Sequence, residues 1–150
     1  MLAKSLATFI YKQILSSKTR FGFRIFSKLR AVFLRFNDPV ITLEFRGFTL
    51  SMPLSHTLFI NQKLYPNYDT QLHKIALYIQ SKTGKLKMID IGANIGDTAV
   101  LTNTTYADFL LIEGEKSYFN LLRENISRHY AKILKEQQGG GDKDRKLFYN

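Results

Sequence analysis

The chain has 150 residues, enough for one domain, and 45% of them are hydrophobic, so it can bury a core. It has no cysteine, which excludes a disulfide framework or cysteine-ligated metal and fits a reducing compartment. Its three histidines, His56, His73 and His129, are too scattered for a metal motif, so we expect no metal. The net charge is +10, and residues 1–37 contain eight basic and no acidic residues. The basicity therefore belongs to an N-terminal arm.

This basic arm, residues 1–37, carries two helical patterns. Apolar residues recur at helical spacing in 2–15 and again in 25–36, with basic residues between them. Neither run reaches the ~18 apolar residues of a bilayer span, and Lys12 interrupts the first, which argues against a signal peptide. We favour two amphipathic helices that pack on the domain. The alternative is an arm that lies on an anionic membrane. A transit peptide ranks lower, and we expect no nucleic acid partner.

The segment between the arm and the central motif is predicted to be mixed in structure. Apolar and polar residues alternate across 41–52, which predicts a β-hairpin of two half-buried strands. Residues 54–68 show no clear period, and Asp69 is predicted to cap the helix that follows. We interpret Tyr68 and Asp69 as a loop residue and a helix cap. The alternative is that they line a ligand site.

The central motif, Lys87–Thr98, predicts a short buried strand, a sharp turn and the start of a helix. Gly92 and Gly96 flank Ala93 and Asn94, and Asn is the residue other than Gly that best tolerates a positive φ. Such a loop lets a ligand approach the backbone closely. In an open parallel sheet, ligands bind beyond the carboxyl ends of the strands. The motif therefore predicts a ligand site.

Three nucleotide-type ligands could use such a loop. A Walker phosphate loop is excluded, because no Gly stands five positions before the only Gly-Lys pair, Gly84-Lys85. A dinucleotide fits poorly, because its fingerprint has three glycines, and Asp97 at the helix start would oppose a pyrophosphate. S-adenosylmethionine has no phosphate and carries a cationic sulfonium and ammonium. The acidic residues around the loop therefore favour S-adenosylmethionine.

A second predicted strand supports an adenosine-type ligand. The apolar run 109–112 ends at Glu113, and Glu113 lies 17 residues after Gly96, enough for a helix and a return strand. An acidic residue at the end of that strand can accept hydrogen bonds from both ribose hydroxyls. That role serves NAD and S-adenosylmethionine equally. Glu113 thus indicates a ribose and not the identity of the cofactor.

The motifs together carry a family resemblance. They lie at residues 88–98, 112–115 and 119–126, with 64–69 upstream. Over about residues 40–130 the sequence resembles the FkbM family of S-adenosylmethionine-dependent methyltransferases. The resemblance implies a Rossmann-like sheet and methylation of a hydroxyl on a sugar, glycan or small natural product.

Each candidate site residue has an expected role. The candidate cofactor-binding residues are Asp90, Gly92, Ala93, Asn94, Gly96, Asp97 and Glu113. Asp90 would fix the loop or face the methionine ammonium, Asn94 and Asp97 would contact the methionine moiety, and the glycines would allow close approach. The alternative is that Asp90 and Asp97 only cap the helix. An alcohol acceptor also needs a base or a metal, and no catalytic residue can be identified.

The predicted fold class is α/β, an incomplete Rossmann-like methyltransferase fold. We expect its first two parallel strands with crossover helices, preceded by amphipathic N-terminal helices and a β-hairpin. The predicted domains are the basic helices 1–37, the N-terminal part of a class I methyltransferase domain 38–136, and a flexible polar tail 137–150, in which 147–149 begins a third strand. Such a fold needs about seven strands, so we expect a fragment. Its sheet would leave apolar surface exposed and favour self-association.

The predicted function is the cofactor-binding part of an O-methyltransferase, in the cytoplasm or peripheral to the membrane. Two alternatives remain open. One is a catalytically inactive remnant that keeps the start of the fold. The other is a membrane-associated interaction module that acts through the basic arm.

Overall fold

The computed structural model describes residues 2–104, 106–137 and 147–149. Within them it has six helices and two small sheets, which confirms the α/β class. The chain divides into two compact units, Met1–Tyr68 and Asp69–Asn150, and the predicted domain boundaries stay a prediction. Most of the predicted polar tail lies outside the described residues. No helix in the described ranges is both long enough and apolar enough to cross a bilayer.

The first unit has three helices and a hairpin. These elements are α1 (Leu2–Ser16), α2 (Arg20–Phe33), β1 (Val40–Phe45), β2 (Phe48–Pro53) and α3 (Leu58–Leu64). β1 and β2 pair antiparallel, as the alternating pattern predicts. α2 begins five residues earlier than the predicted range, because the Thr19 side chain accepts the Gly22 N–H at 3.1 Å and caps the helix there.

Helix α3 is a correction to the sequence analysis, which found no regular element in 54–68. Leu58, Phe59 and Ile60 are consecutive and all buried, so they hide the helical period that a half-exposed helix would show. Thr57 at the N-cap position makes no side-chain capping bond, so the usual start signal is also missing.

The two N-terminal helices differ in how they pack. α1 buries Ala7, Ile10, Tyr11 and Ile14 within the first unit, as expected for an amphipathic helix on a domain. α2 has no buried residue, so the expected packing on the domain holds fully only for α1. Part of α2 is nevertheless anchored within the first unit through the side chain of Arg30.

Arg30 is the main polar anchor of α2. Its Nε donates to the Leu54 carbonyl oxygen at 2.8 Å, and its Nη2 donates to the Ser55 carbonyl oxygen. The guanidinium also lies over the ring of Tyr11, 5.8 Å from its centroid. Burial lowers the pKa of Arg30, and Tyr11 and Asp38 oppose that shift. Arg30 therefore holds the helix to the segment after β2.

The second unit is built on a parallel sheet. Its elements are α4 (Thr70–Thr83), β3 (Leu86–Ile91), α5 (Asp97–Thr102), β4 (Ala107–Ile112), α6 (Lys116–Gln137) and β5 (Leu147–Tyr149). The strand order is β3-β4-β5, and both pairings are parallel. The two predicted strands with their crossover helices, and the third strand at 147–149, are therefore present.

The two faces of this sheet differ in exposure. Leu86, Phe109 and Leu111 are buried on one face. On the other face Ile89 is 67% exposed and Ile91 is 79% exposed. Parallel sheets are normally covered on both faces. The predicted exposed apolar face is thus confirmed, and self-association through it stays a prediction.

Candidate functional site

The loop between β3 and α5 has the backbone that its sequence predicts. Gly92 and Ala93 donate their N–H groups to the Ile112 carbonyl oxygen at 2.9 and 3.0 Å, which fixes the loop to the end of β4. Gly92, Asn94 and Gly96 have φ values of 80°, 48° and 79°, in the left-handed region. The expectation that Asn94 takes a positive φ is therefore confirmed.

The two glycines of the loop have different surroundings. A Cβ added at Gly92 would have no atom within 4 Å, so open space borders the backbone there. A Cβ at Gly96 would lie 3.2 Å from Ile126 Cγ1 and 3.3 Å from Leu122 Cγ. Gly92 therefore fits the expected close approach of a ligand. Gly96 allows the loop to pack on α6, and its expected contact with the cofactor stays a prediction.

Glu113 holds two loops together. Its Oε2 accepts the Asn94 N–H at 2.8 Å, and its Oε1 accepts the Glu115 N–H at 2.8 Å. It thus connects the loop after β3 with the loop after β4. An ionised carboxylate has about four acceptor positions, so two remain for a ligand. The predicted ribose contact stays a prediction, and the structure adds a structural role that the sequence analysis did not assign.

Asn125 is a residue of the site region that the sequence analysis missed. It is fully buried on α6, and its Nδ2 donates to the Ile95 carbonyl oxygen at 2.8 Å. Ile95 in turn donates its N–H to Asn94 Oδ1 at 2.9 Å. The available signal was an amide side chain three residues after Leu122, on the apolar side of the predicted helix. Asn125 therefore stabilises the loop through a hydrogen bond from α6.

Two carboxylates, Asp69 and Asp90, feel the charge of a third, Asp97, in the first turn of α5, and we call the three the acidic cluster. Burial raises the pKa of Asp90, and the charge of Asp97 raises it further, while a hydrogen bond from Thr98 partly opposes the shift. Burial also raises the pKa of Asp69, and the charge of Asp97 makes a smaller contribution in the same direction. Asp90 Oδ2 is buried and has no hydrogen-bond partner within the described residues. The cluster therefore concentrates negative charge beside the loop after β3.

Asp69 differs from its prediction. It occupies the N-cap position of α4, but its backbone is left-handed, with φ at 60°, and its side chain makes no capping bond. The predicted side-chain cap is therefore wrong, and the alternative that Asp69 lines the site is favoured because the charge of Asp97 raises its pKa. Tyr68 belongs to the first unit and is 40% exposed.

His73 connects two helices of the second unit. His73 Nδ1 lies 2.6 Å from the Thr102 carbonyl oxygen, so this nitrogen must carry the proton and donate it. The bond links α4 to the end of α5. Within the described ranges, no group of three histidine, cysteine or acidic residues could hold a metal ion.

Comparison of the chain with protein-family models, with curated proteins and with solved structures gives no match. The resemblance to the FkbM family therefore stays a prediction.

Proposed function

We propose that this chain binds S-adenosylmethionine as the cofactor-binding part of an O-methyltransferase. The observation that carries the proposal is the acidic cluster, which lies beside a glycine loop where the parallel strand β3 ends. The chain order β3-α5-β4-α6-β5 with parallel strands is also what one half of a Rossmann-like sheet would have.

The charge of the site favours a cationic ligand. Asp69 and Asp90 have raised pKa values, and Asp97 contributes to both shifts, so a cation between these groups would relieve their repulsion. S-adenosylmethionine brings a sulfonium and an ammonium. A dinucleotide would bring a pyrophosphate and add to the repulsion. The acidic cluster therefore favours S-adenosylmethionine over NAD, whereas Glu113 alone would serve either cofactor.

Residues around the loop would supply the other contacts to the cofactor. The open space at Gly92 would admit the cofactor close to the backbone. The two acceptor positions left on Glu113 would take the ribose hydroxyls. Asn94 and Asp97 would contact the methionine moiety, as the sequence analysis expects. Ala93 is 2% exposed and its N–H is bonded to β4, so it would shape the loop.

The chemistry would be an in-line methyl transfer to a hydroxyl of a sugar or small natural product. Its rate depends on holding the acceptor oxygen near the sulfonium methyl, at ~3–3.5 Å. The residues around the loop provide for binding of the cofactor, and none of them is assigned as the base that an alcohol acceptor requires. We therefore expect cofactor binding without turnover.

Titration calorimetry of the full chain tests the cofactor. We expect heat on titration of S-adenosylmethionine and none with NAD, and we expect Asp97→Asn to weaken binding by about 10-fold or more, the loss typical of a hydrogen bond to a charged group. Glu44→Gln, an exposed carboxylate in the first unit, is the matched control and should bind like the wild type. NAD binding equal to that of S-adenosylmethionine, or no binding of the latter, would contradict the proposal.

A methyl-release assay against a panel of sugars and small alcohols tests the second expectation. The purified 150-residue chain should show no sustained turnover. Turnover that is abolished by Asp90→Ala would show that the acceptor and base sites are present after all. In that case the strands that this chain lacks would be dispensable or supplied by a second subunit.

A further inference from the structure

Helix α2 exposes a continuous apolar row. Phe21, Ile25, Leu29 and Val32 are spaced four, four and three residues apart, so they share one side of the helix. All four are exposed, with Phe21 at 74% and Val32 at 51%. Phe36, 85% exposed, extends the row into the turn that follows. An exposed apolar row of this length marks an interaction surface.

A basic row runs beside the apolar row. Arg20, Arg24 and Lys28 are spaced four residues apart and are all exposed. With 3.6 residues per turn, each lies one position before a residue of the apolar row, so the two rows are adjacent. No acidic residue occurs in residues 1–37. The exposed side of α2 is therefore apolar along one strip and purely cationic along the next.

The remaining side of α2 fixes its orientation on the first unit. The ring of Phe26 lies edge-on to that of Phe9, with centroids 6.3 Å apart. Arg30 is bonded to the Leu54 and Ser55 carbonyl oxygens. These contacts hold one side of α2 within the first unit and leave the apolar row and the basic row exposed.

A basic cavity adds to the positive charge at the start of α2. It has a volume of about 290 Å³, and its charged lining residues are Lys18, Arg20, Arg24 and Lys63. Lys63 Nζ also donates to the Leu15 and Ser17 carbonyl oxygens at 2.7 and 2.8 Å, so it holds the end of α1. No acidic side chain lines the cavity. Its charge complements an anionic surface.

We propose that α2 docks on an anionic membrane, with its apolar row in the headgroup boundary and its basic row on the anionic headgroups. Interfacial helices combine these two features, and each Lys or Arg near the surface adds to binding. A second copy of the chain is the weaker occupant, because a two-fold contact through this face would bring the two basic rows close together.

Vesicle binding by the full chain tests the docking. We expect binding to vesicles of phosphatidylglycerol and phosphatidylcholine at low salt, weaker binding as salt rises, and none to pure phosphatidylcholine. The triple variant R20Q/R24Q/K28Q should bind about 100-fold more weakly, since each basic residue near the surface contributes roughly a fivefold factor. K74Q/K87Q/K116Q removes the same charge from exposed positions of the second unit and should bind within about fivefold of the wild type.

Insertion of the apolar row needs its own measurement. The chain has no tryptophan, so L29W places a single fluorophore in the row, and its emission should shift to the blue on binding. I25S/L29S should weaken binding at least about tenfold, while I75S/Y78S, a matched pair of exposed residues on α4, should not.

Three results would overturn the docking proposal. The first is no binding to the anionic vesicles at low salt. The second is binding unchanged in I25S/L29S, which would mean attraction by charge alone. The third is a dimer that I25S/L29S dissociates and that ignores vesicles, which would assign the face to a second copy.

Discussion

Two groups of charged side chains, one in each unit, are held in opposite ways. In the first unit, Arg30 and Asp38 have fixed hydrogen-bond partners: Arg30 donates to two carbonyl oxygens, and Asp38 accepts from the Ser55 N–H at 2.8 Å and its hydroxyl at 2.6 Å. In the second unit, three like charges lie near one another, and the pKa values of Asp69 and Asp90 are raised. Matched charges hold a fold, whereas like charges kept together cost stability and indicate a binding role.

The largest expected effect comes from Gly96→Ala. The new Cβ would lie within 3.3 Å of Leu122 and Ile126, on a backbone with φ of 79° that disfavours any side chain. We expect the free energy of unfolding to fall by about 2–4 kcal/mol in urea denaturation. Gly84→Ala is the control, with a similar φ of 75° and open space around the Cβ, and should cost about 1 kcal/mol. Equal losses in both variants would mean that packing on α6 is not the constraint.

Arg30→Ala tests the matched charges of the first unit. It removes two hydrogen bonds from a charged donor and leaves the Leu54 and Ser55 carbonyl oxygens without that donor, so we expect a loss of about 2–3 kcal/mol. Arg24→Ala, an exposed arginine on the same helix, should stay within about 0.5 kcal/mol of the wild type. A loss confined to Arg24→Ala would reverse the roles given to these residues.

Glu113→Ala tests both the structural role of Glu113 and its proposed contact with the ribose. It removes the acceptor of the Asn94 and Glu115 N–H groups, so we expect a loss of about 1–2 kcal/mol in stability with the fold retained. Binding of S-adenosylmethionine should weaken by about 10-fold or more, because the ribose loses a charged acceptor. Calorimetry and urea denaturation on the same preparation separate the two losses. Unchanged affinity in a folded variant would remove Glu113 from the ligand contacts.

The smallest expected effect is a gain, from Asp97→Asn. A carboxyl group whose folded pKa is raised is protonated more readily in the folded protein, so its repulsion is absent below the unfolded pKa near 3.8 and grows as the pH rises through the raised folded pKa. Asp97→Asn should therefore stabilise the free protein by a few tenths of a kcal/mol at neutral pH, since partial exposure screens the charges.

The pH dependence distinguishes this gain from a general effect of the substitution. The stability difference between Asp97→Asn and the wild type should grow from pH 3 to pH 7 and shrink in high salt. A difference that does not change with pH would mean that Asp97 does not repel Asp69 and Asp90.

The regular parts of the second unit could be predicted because local patterns determine them. The apolar run that ends at Gly92 predicts β3, and the positive φ of Asn94 follows from its side-chain chemistry. The role of Gly96 could not be predicted, because it depends on where α6 lies. Asp69 was assigned to a cap for the same reason, since no sequence spacing brings the start of α4 near Asp97.

The first unit shows a different limit of sequence reasoning. The amphipathic pattern of α2 predicts a helix, but the sequence pattern of an apolar row is the same whether the row faces a core or the solvent. Only the exposure of Phe21 and Leu29 separates the two cases. Helix α3 was missed because its three leading apolar residues are all buried, as is Gln62, so that of its seven residues only the last, Leu64, is exposed.

The two hydrogen bonds that Glu113 accepts couple the loop after β3 to the loop after β4. The Asn94 and Glu115 amides end on the same carboxylate, so neither loop can leave it without affecting how the other is held. Their amide hydrogens should therefore exchange with solvent through one shared opening event and show similar protection factors. A ligand that restrains Glu113 would slow exchange at both amides together, so this pair of amides would report ligand binding whatever the ligand is.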